Sequence, residues 1–317
     1  MPPMTRIHAL GHYQPEQVLT NDELATMVDT NDAWIRQRTG IATRHIARDE
    51  SVADLATAAA GKALAASGLA PEQIGQVVVA TCSARDRVPS NAARVAGRLG
   101  IPDAVTFDLN NGCAGFTTAL AIADHTVRAG AASHALVIGA ERMSEVTDWT
   151  DRSSCVLLGD GAGAVVIGPE EPDAQHDGIG PVVWGSDPTR ADAVRLEGAW
   201  QPRFGQEGQT VFRWATTELA PIARLALERA GVAPAELAGI VTHQANLRII
   251  ESLARQLKAP DAVVATDVVR SGNTSAASVP LALAKLVERR EIPIGAPVLL
   301  FAFGGGLSWS GQVIRCP

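Results

Sequence analysis

The chain has little cysteine, almost no lysine and no long apolar run, and each shortage narrows what it can be. Four cysteines (Cys82, Cys113, Cys155 and Cys316) in 317 residues show neither paired Cys-x-x-Cys spacing nor the density of a secreted disulfide scaffold, so a reducing cytoplasm is expected. No stretch approaches the roughly 20 apolar residues of a membrane span, and the opening MPPMTRIHALGHYQ lacks the basic segment and apolar run of a secretory signal. A soluble protein with no membrane partner is expected. Positive charge is short too: 27 Lys and Arg against 34 Asp and Glu give a net charge of -7. That balance opposes general affinity for nucleic acid or anionic lipid, and an acidic partner must be met by a local patch. Lys62, Lys258 and Lys285 are the lysines among those basic residues.

Familiar chemical signatures are missing as well. Without a Walker A sequence, His-Glu-x-x-His, zinc-ligand spacing or a Gly-x-Ser-x-Gly elbow, phosphate-loop, metal and serine-hydrolase chemistry have no support. GDGAGAVVIG at 159–168 contains Gly-x-Gly-x-x-Ala, but a dinucleotide fingerprint must open a helix, and the AVVIG here reads as a strand. No cofactor and no metal are expected.

What is present is a unit written twice. ALAASGLAPEQIGQV at 63–77 aligns with ALERAGVAPAELAGI at 226–240, each a helix, a glycine stop, a short turn and a buried strand. The register continues: Asn111, Cys113 and Ala114 fall against Asn273, Ser275 and Ala276, and ALVIGA against VLLFAF. QVVVAT, GIVT, HALVIGA and PVLLFAF are continuous apolar runs of the kind that parallel strands covered on both faces show. An α/β fold of two similar halves follows, 1–172 and 173–317, divided near PEEPDAQHDGIGP. At 317 residues and 46% hydrophobic content, both halves can bury a core. The Gly-, Pro-, Arg- and Gln-rich stretch at about 185–212 reads as an irregular cap over the site.

In open parallel sheets, functional groups gather beyond the carboxyl ends of the strands, where Cys113 and His243 both fall. Cys113, in VTFDLNNGCAGF, stands where a strand hands over to an alanine-rich helix, and free N–H groups and the helix dipole there favour thiolate. The alternative is a small buried cysteine in a helix–sheet contact, which is also the reading of Cys82, Cys155 and Cys316. His243 in VTHQANLRI and Asn273 in RSGNTSAAS make, with Cys113, a recognised nucleophile set. Taken singly, His243 could be structural and Asn273 could cap the helix that begins near Ala276. Gly304, Gly305 and Gly306 in FAFGGGLSWSG could bring backbone N–H groups close to a reacting carbonyl, or could simply form a turn between strands.

Together NDAWIRQRTGI, NNGCAGF, DRSSCVLLGDGAGA, HQANLRII, GNTSAAS and FGGG resemble, in order and over nearly the whole chain, beta-ketoacyl-ACP synthase III. This is the initiating condensing enzyme of type II fatty acid synthesis, in the thiolase superfamily. The resemblance implies a thiolase-like α-β-α-β-α layering, a homodimer, and acyl-CoA and acyl carrier protein as partners. It implies that Cys113 takes the acyl group, that His243 and Asn273 hold the malonyl-ACP thioester carbonyl, and that the N–H groups of Cys113 and Gly306 form an oxyanion hole. By the same match Trp34 and Arg152 hold the CoA adenine between them, Arg38 meets phosphate, Asn246 supports the pantetheine channel, and Arg248 and Arg255 greet the carrier protein.

Two departures bear on specificity. Val88 replaces the Phe that reaches across the dimer to the primer pocket in acetyl-primed members, and Gln209 replaces a channel Asn, so branched, longer or unusual primers stay open. Two other readings remain at this stage. One is a related acyltransferase of secondary metabolism that moves its acyl group without decarboxylation. The other is a non-catalytic partner subunit.

Overall fold

The computed structural model describes residues 4–86, 88–170, 178–199 and 201–317. The first half runs β1 (Thr5–Tyr13), β2 (Val18–Thr20), α1 (Asn21–Ala25), α2 (Asp32–Thr39), β3 (Thr43–His45), α3 (Val52–Ser67), β4 (Ile74–Ala80), α4 (Asn91–Leu99), β5 (Val105–Leu109), α5 (Gly115–Arg128), β6 (His134–Arg142) and β7 (Asp160–Pro169). The second runs β8 (Val183–Ser186), β9 (Val194–Glu197), β10 (Arg203–Gln206), α6 (Gly208–Thr217), α7 (Leu219–Ala230), β11 (Gly239–Thr242), α8 (Leu247–Leu257), β12 (Val263–Val264), α9 (Val268–Ser271), α10 (Ser278–Glu288), β13 (Pro297–Gly304) and β14 (Ser308–Arg315). The expected division at 172/173 lies outside the described residues.

Two five-stranded sheets carry the halves, in the orders β1-β7-β6-β4-β5 and β8-β14-β13-β11-β12. They are the same plan: a parallel core (β6-β4-β5; β13-β11-β12) flanked by two antiparallel strands. The continuous apolar runs in the sequence are the parallel strands, buried on both faces as such strands must be. The antiparallel flank was not expected.

The helices α5 and α10 lie between the sheets. Phe116, Leu120 and Val127 of α5 and Val279, Leu283 and Leu286 of α10 share one core with Val78, Val137 and Val165 on one side and Val241, Val298 and Leu300 on the other. Each such side chain gains about 1.5–3 kcal/mol by burial. α3 and α4 cover the outer face of the first sheet, and α6, α7 and α8 that of the second, which completes five α-β-α-β-α layers. The repeated helix–glycine signals act as read: α3 begins in a Ser51/Asp54 capping box, and α3 and α7 end at Gly68 and Gly231 with φ of 68° and 65°.

The stretch at 185–212 is more ordered than its composition suggests. It forms the β9–β10 hairpin and the start of α6, and Leu196 and Phe204 pack against Met143, Val146 and Leu158 of the first half.

Candidate active site

β5 delivers Cys113 into a tight loop in which Ala114 N–H donates to Asn111 C=O (3.1 Å) and Gly115 N–H to Gly112 C=O (2.9 Å). The sulfur therefore stands two residues before α5 rather than on its first turn. Burial pushes the thiol up to about 11, Glu141 adds to the rise, and the Ser275 hydroxyl opposes it. In the free protein desolvation thus outweighs the helix-end effect that was expected to favour thiolate.

His243 follows β11 and is buried, with its N–H donating to Phe301 C=O at 2.8 Å. Its ring stands edge-on to Phe303 with centroids 5.4 Å apart, and Nδ1 lies 2.7 Å from Ser278 Oγ, which also accepts the Gln244 N–H at 3.3 Å. Burial drives its pKa down to about 3, so the imidazole is neutral at ordinary pH.

Asn273 does not cap α10, whose first residue has no side-chain cap. Its main chain is instead pinned to 157–159, its N–H donating to Leu157 C=O (2.8 Å) and its C=O accepting from Gly159 (3.1 Å). Its Oδ1 accepts the Ser275 N–H at 2.9 Å. That bond occupies the amide oxygen and leaves the NH₂ as the free end, a fixed donor.

Gly304 closes the arrangement. A Cβ built there would fall 2.7 Å from Cys113 Cβ and 3.1 Å from its Sγ, so a side chain is sterically excluded. Gly304–Ser308 is also the tight turn of the β13–β14 hairpin, so the turn reading of the glycine run holds.

Two cavities meet at Cys113. One, of about 690 Å³, runs in from Trp34 and Arg38 past Gln209 and Asn246 to Cys113, His243 and Asn273. The other, of about 460 Å³, lies beyond the sulfur, walled by Met143, Leu158, Leu196 and Phe204 and by Gly306. Cys82 belongs to this second wall, which corrects its reading as mere filling; Cys155 and Cys316 are buried free thiols.

The remaining candidates divide. Asn246 caps α8, accepting the Arg248 N–H at 2.9 Å, and its NH₂ donates to Arg38 C=O at 3.0 Å, tying α8 to α2. The Arg152 guanidinium lies 4.6 Å above the Trp34 ring, with Arg38 at 5.9 Å. Trp34 and Arg152 therefore stack directly on one another, and a base can enter between them only if they part. Arg248 is exposed at the cavity mouth, over the Phe212 ring at 5.0 Å, whereas Arg255 is exposed farther along the same helix and does not line the cavity. Val88 is 88% exposed and does not line the cavity of its own chain, so a single copy does not bring it to Cys113.

Sequence reasoning missed Arg213, which joins Arg38 and Arg248 in lining the first cavity, and the polar shell of Ser278, Ser275 and Glu141. Ser275 and Ser278 stood inside the quoted GNTSAAS; Glu141, near the end of an apolar strand, was the available signal for the rest. Among the described residues no group of three or more His, Cys, Asp or Glu could hold a metal ion, and no helix is long and apolar enough to cross a membrane.

A duplicated five-layer fold with a cysteine, a histidine and an asparagine meeting between its halves defines a thiolase-like condensing enzyme. The sequence matches 3-Oxoacyl-[acyl-carrier-protein (ACP)] synthase III over residues 107–188 and the C-terminal part of that family over 227–316. It is 65% identical over 314 residues to beta-ketoacyl-[acyl-carrier-protein] synthase III 2 of Streptomyces avermitilis, covering 99% of each chain. It is 63% identical to synthase III 4 of Streptomyces coelicolor, also over 314 residues and with the same coverage. Among solved structures, the priming beta-ketosynthase of the R1128 polyketide pathway superposes with a TM-score of 0.96 at 41% identity, covering 100% of this chain and 98% of the other. The chain belongs to the beta-ketoacyl-ACP synthase III family of acyltransferases.

Proposed function

We propose that the chain joins an acyl-CoA primer to malonyl-ACP by decarboxylating Claisen condensation through an acyl-Cys113 intermediate. The observation that carries this is the meeting of Cys113, neutral His243 and the oriented Asn273 amide at the junction of two cavities. One cavity suits a pantetheine arm and the other an acyl chain.

In the first half-reaction Cys113 Sγ attacks the acyl-CoA carbonyl. The thiol proton leaves with the CoA sulfur, and the oxyanion rests on the N–H groups of Cys113 and Gly306. Because neither a preformed thiolate nor an imidazolium is present in the free protein, the proton departs in step with the attack. In the second, malonyl-ACP loses carbon dioxide and the electron pair of the broken C–C bond moves into the thioester carbonyl. On this reading the Ser278 hydroxyl, which accepts the Gln244 N–H, donates to His243 Nδ1, and the ring carries its own hydrogen on Nε2, directed to the substrate. Nε2–H and the Asn273 NH₂ then stabilise the enolate oxygen, each such donor contributing about 2.7–4 kcal/mol. The carbanion attacks the acyl-Cys113 carbonyl, the Cys113 thiolate leaves, and it takes a proton from solvent to restore the thiol.

Retention of the Asn273 donor favours condensation over a simple acyl transfer, which forms no enolate. Arg38, Arg213 and Arg248 at the mouth suit a phosphopantetheine-bearing acidic partner, with the Trp34–Arg152 pair opening for adenine. β5 is an edge strand running straight into the Cys113 loop, and its Val105 is 55% exposed. That edge supports pairing with a second copy in a homodimer, the arrangement in which Val88 would reach a neighbouring primer cavity. No resident cofactor is invoked, and the reaction belongs in the cytoplasm.

The test is incubation with a panel of acyl-CoAs and malonyl-ACP, following Cys113 mass and carbon dioxide release. Acylation, carbon dioxide and a beta-ketoacyl-ACP product, all lost in Cys113→Ala, support the reading. Acylation without decarboxylation moves it to an acyltransferase, and no acylation by any donor removes the catalytic assignment.

A further inference from the structure

Glu141, next to last in β6, is fully buried, yet among the described residues its partners are all neutral donors. From the loop after β4 come the Thr81 hydroxyl (3.0 Å), the Cys82 N–H (3.1 Å) and thiol (3.3 Å), the Ser83 N–H (3.0 Å) and the Ser83 hydroxyl. From the other half of the molecule comes the Ala276 N–H at 3.3 Å. The backbone N–H groups of Cys82, Ser83 and Ala276 can only donate, so both carboxyl oxygens of Glu141 accept. Burying a carboxyl group with no cationic partner among the described residues is costly, and here it serves two segments that flank Cys113.

One of them is the turn that carries Asn273. Ser275 has φ +47°, the left-handed region that a residue with a side chain rarely occupies, and its N–H is the group that orients the Asn273 amide. Glu141 grips the next residue. Two positions earlier on the same face of β6, a Cβ on Gly139 would fall 2.5 Å from Ala276 C=O, so the turn is pressed onto the strand at the point where Glu141 holds it. The other segment places Cys82 in the acyl-cavity wall, with its thiol 3.4 Å from Ser275 Oγ.

We propose that Glu141 is a positioning residue for condensation: its buried carboxylate ties the strained Asn273–Ala276 turn to the Cys82 loop and so fixes the Asn273 amide beside His243. This rests on the condensing reading above. Glu141 acts through Asn273 and does not touch substrate. Its charge also faces Cys113; the other titratable groups there are Cys82 on the β4 loop, whose thiol burial and Glu141 hold far up, and His243 after β11, which is neutral. Glu141 is thus the charge that opposes Cys113 ionisation in the free protein.

Glu141→Gln and Glu141→Asp in the full chain test this with three readouts: Cys113 acylation by acyl-CoA, carbon dioxide release from malonyl-ACP by the acylated protein, and the pH profile of Cys113 alkylation by iodoacetamide. Glu141→Gln should acylate no more slowly than the parent and lose about a hundredfold in condensation, the cost of roughly 1 Å of misplacement. Its alkylation profile should move to lower pH, which a purely structural defect would not cause. Glu141→Asp keeps the charge and shortens the reach, so condensation falls while the alkylation profile stays. Parental condensation in either variant, equal losses in both half-reactions, or an unmoved profile in Glu141→Gln overturns the proposal. If Glu141→Gln does not fold, Glu141→Asp decides by the same split between half-reactions. A parent protein that acylates but releases no carbon dioxide removes the condensing reading itself, a result visible before any variant is made.

Discussion

Replacing Gly304 with alanine tests the closeness of Cys113, the proposed nucleophile, to the glycine hairpin. Gly304 ends β13 and is absent from the positive-φ glycines, so alanine meets no backbone penalty and the whole effect is steric. Its Cβ would stand 2.7 Å from Cys113 Cβ and 3.1 Å from Cys113 N and Sγ, where ordinary carbon contacts need about 3.5–4.0 Å. The hairpin and the Cys113 loop must part by about 1 Å. Overpacking of this kind costs about 1–3 kcal/mol, which a domain with about 5–15 kcal/mol of stability survives. A displacement of about 1 Å at the reacting atom, however, costs about a hundredfold in rate. Single-turnover acylation of Cys113 followed by intact mass, beside a thermal melt, separates the two. Near-native melting with acylation slowed about a hundredfold is expected; acylation within a few-fold of the parent refutes the argument that Gly304 is glycine because of Cys113.

With its thiol raised to about 11, Cys113 is ionised in roughly one molecule in 10⁴ at pH 7. Its alkylation should rise about tenfold per pH unit well past pH 9, and a plateau at or below pH 8 contradicts the burial argument. His243, pushed down to about 3, should show no NMR titration between pH 5 and 8, and a midpoint near 6.5 contradicts its desolvation. Ser278→Ala frees His243 Nδ1 from its 2.7 Å partner and should lower carbon dioxide release about two- to tenfold, the net worth of one neutral hydrogen bond, while acylation is kept. Arg248→Ala should raise KM for malonyl-ACP and flatten its salt dependence with kcat little changed; an unchanged KM at low salt counts against carrier-protein docking there.

The architecture was legible because a buried parallel strand and its helix leave local marks, apolar runs and a glycine stop, and here each mark occurs twice. The antiparallel flanks were not, since β1 and β8 sit far from their partners in sequence and pair through backbone groups that carry no residue code. Cys113, His243 and Asn273 could be picked out by residue type and motif order. Glu141, Ser275 and Ser278 could not, because what distinguishes them is burial against the other half of the chain. Asn273 looked like a helix cap for a related reason: Asn favours both caps and turns, its contact to Ser275 N–H has the same spacing as the Asn246 cap of α8, and only the start of α10 at Ser278 separates the two. The cap at 185–212 was mistaken for irregular chain because Gly and Pro there bend a hairpin whose apolar residues, Leu196 and Phe204, face the cavity.

Duplication also explains the division of labour. α5 and α10 are equivalent helices laid between the sheets, and their starts meet so closely that a Cβ on Gly115 would lie 3.3 Å from Ala276 Cβ. Cys113 and Ser275 occupy matching stations ahead of them, and the Ser275 hydroxyl meets the thiols of both Cys113 and Cys82. On the proposed mechanism the two reactions develop negative charge on two different oxygens, the acyl carbonyl and the malonyl thioester, and one set of donors cannot be aimed at both. A site at the junction of the halves solves this by giving each oxygen its own donor set: the Cys113 loop of the first half with the glycine hairpin of the second for the acyl oxygen, and His243 with the Asn273 turn, both of the second half, for the malonyl oxygen. Changes at Ser278, Asn273 or the Glu141–Ala276 contact should then spare acylation and cost condensation, whereas changes at Gly304 should cost acylation first. A loss of both half-reactions in equal measure from each group of changes would mean that one set of donors serves both oxygens.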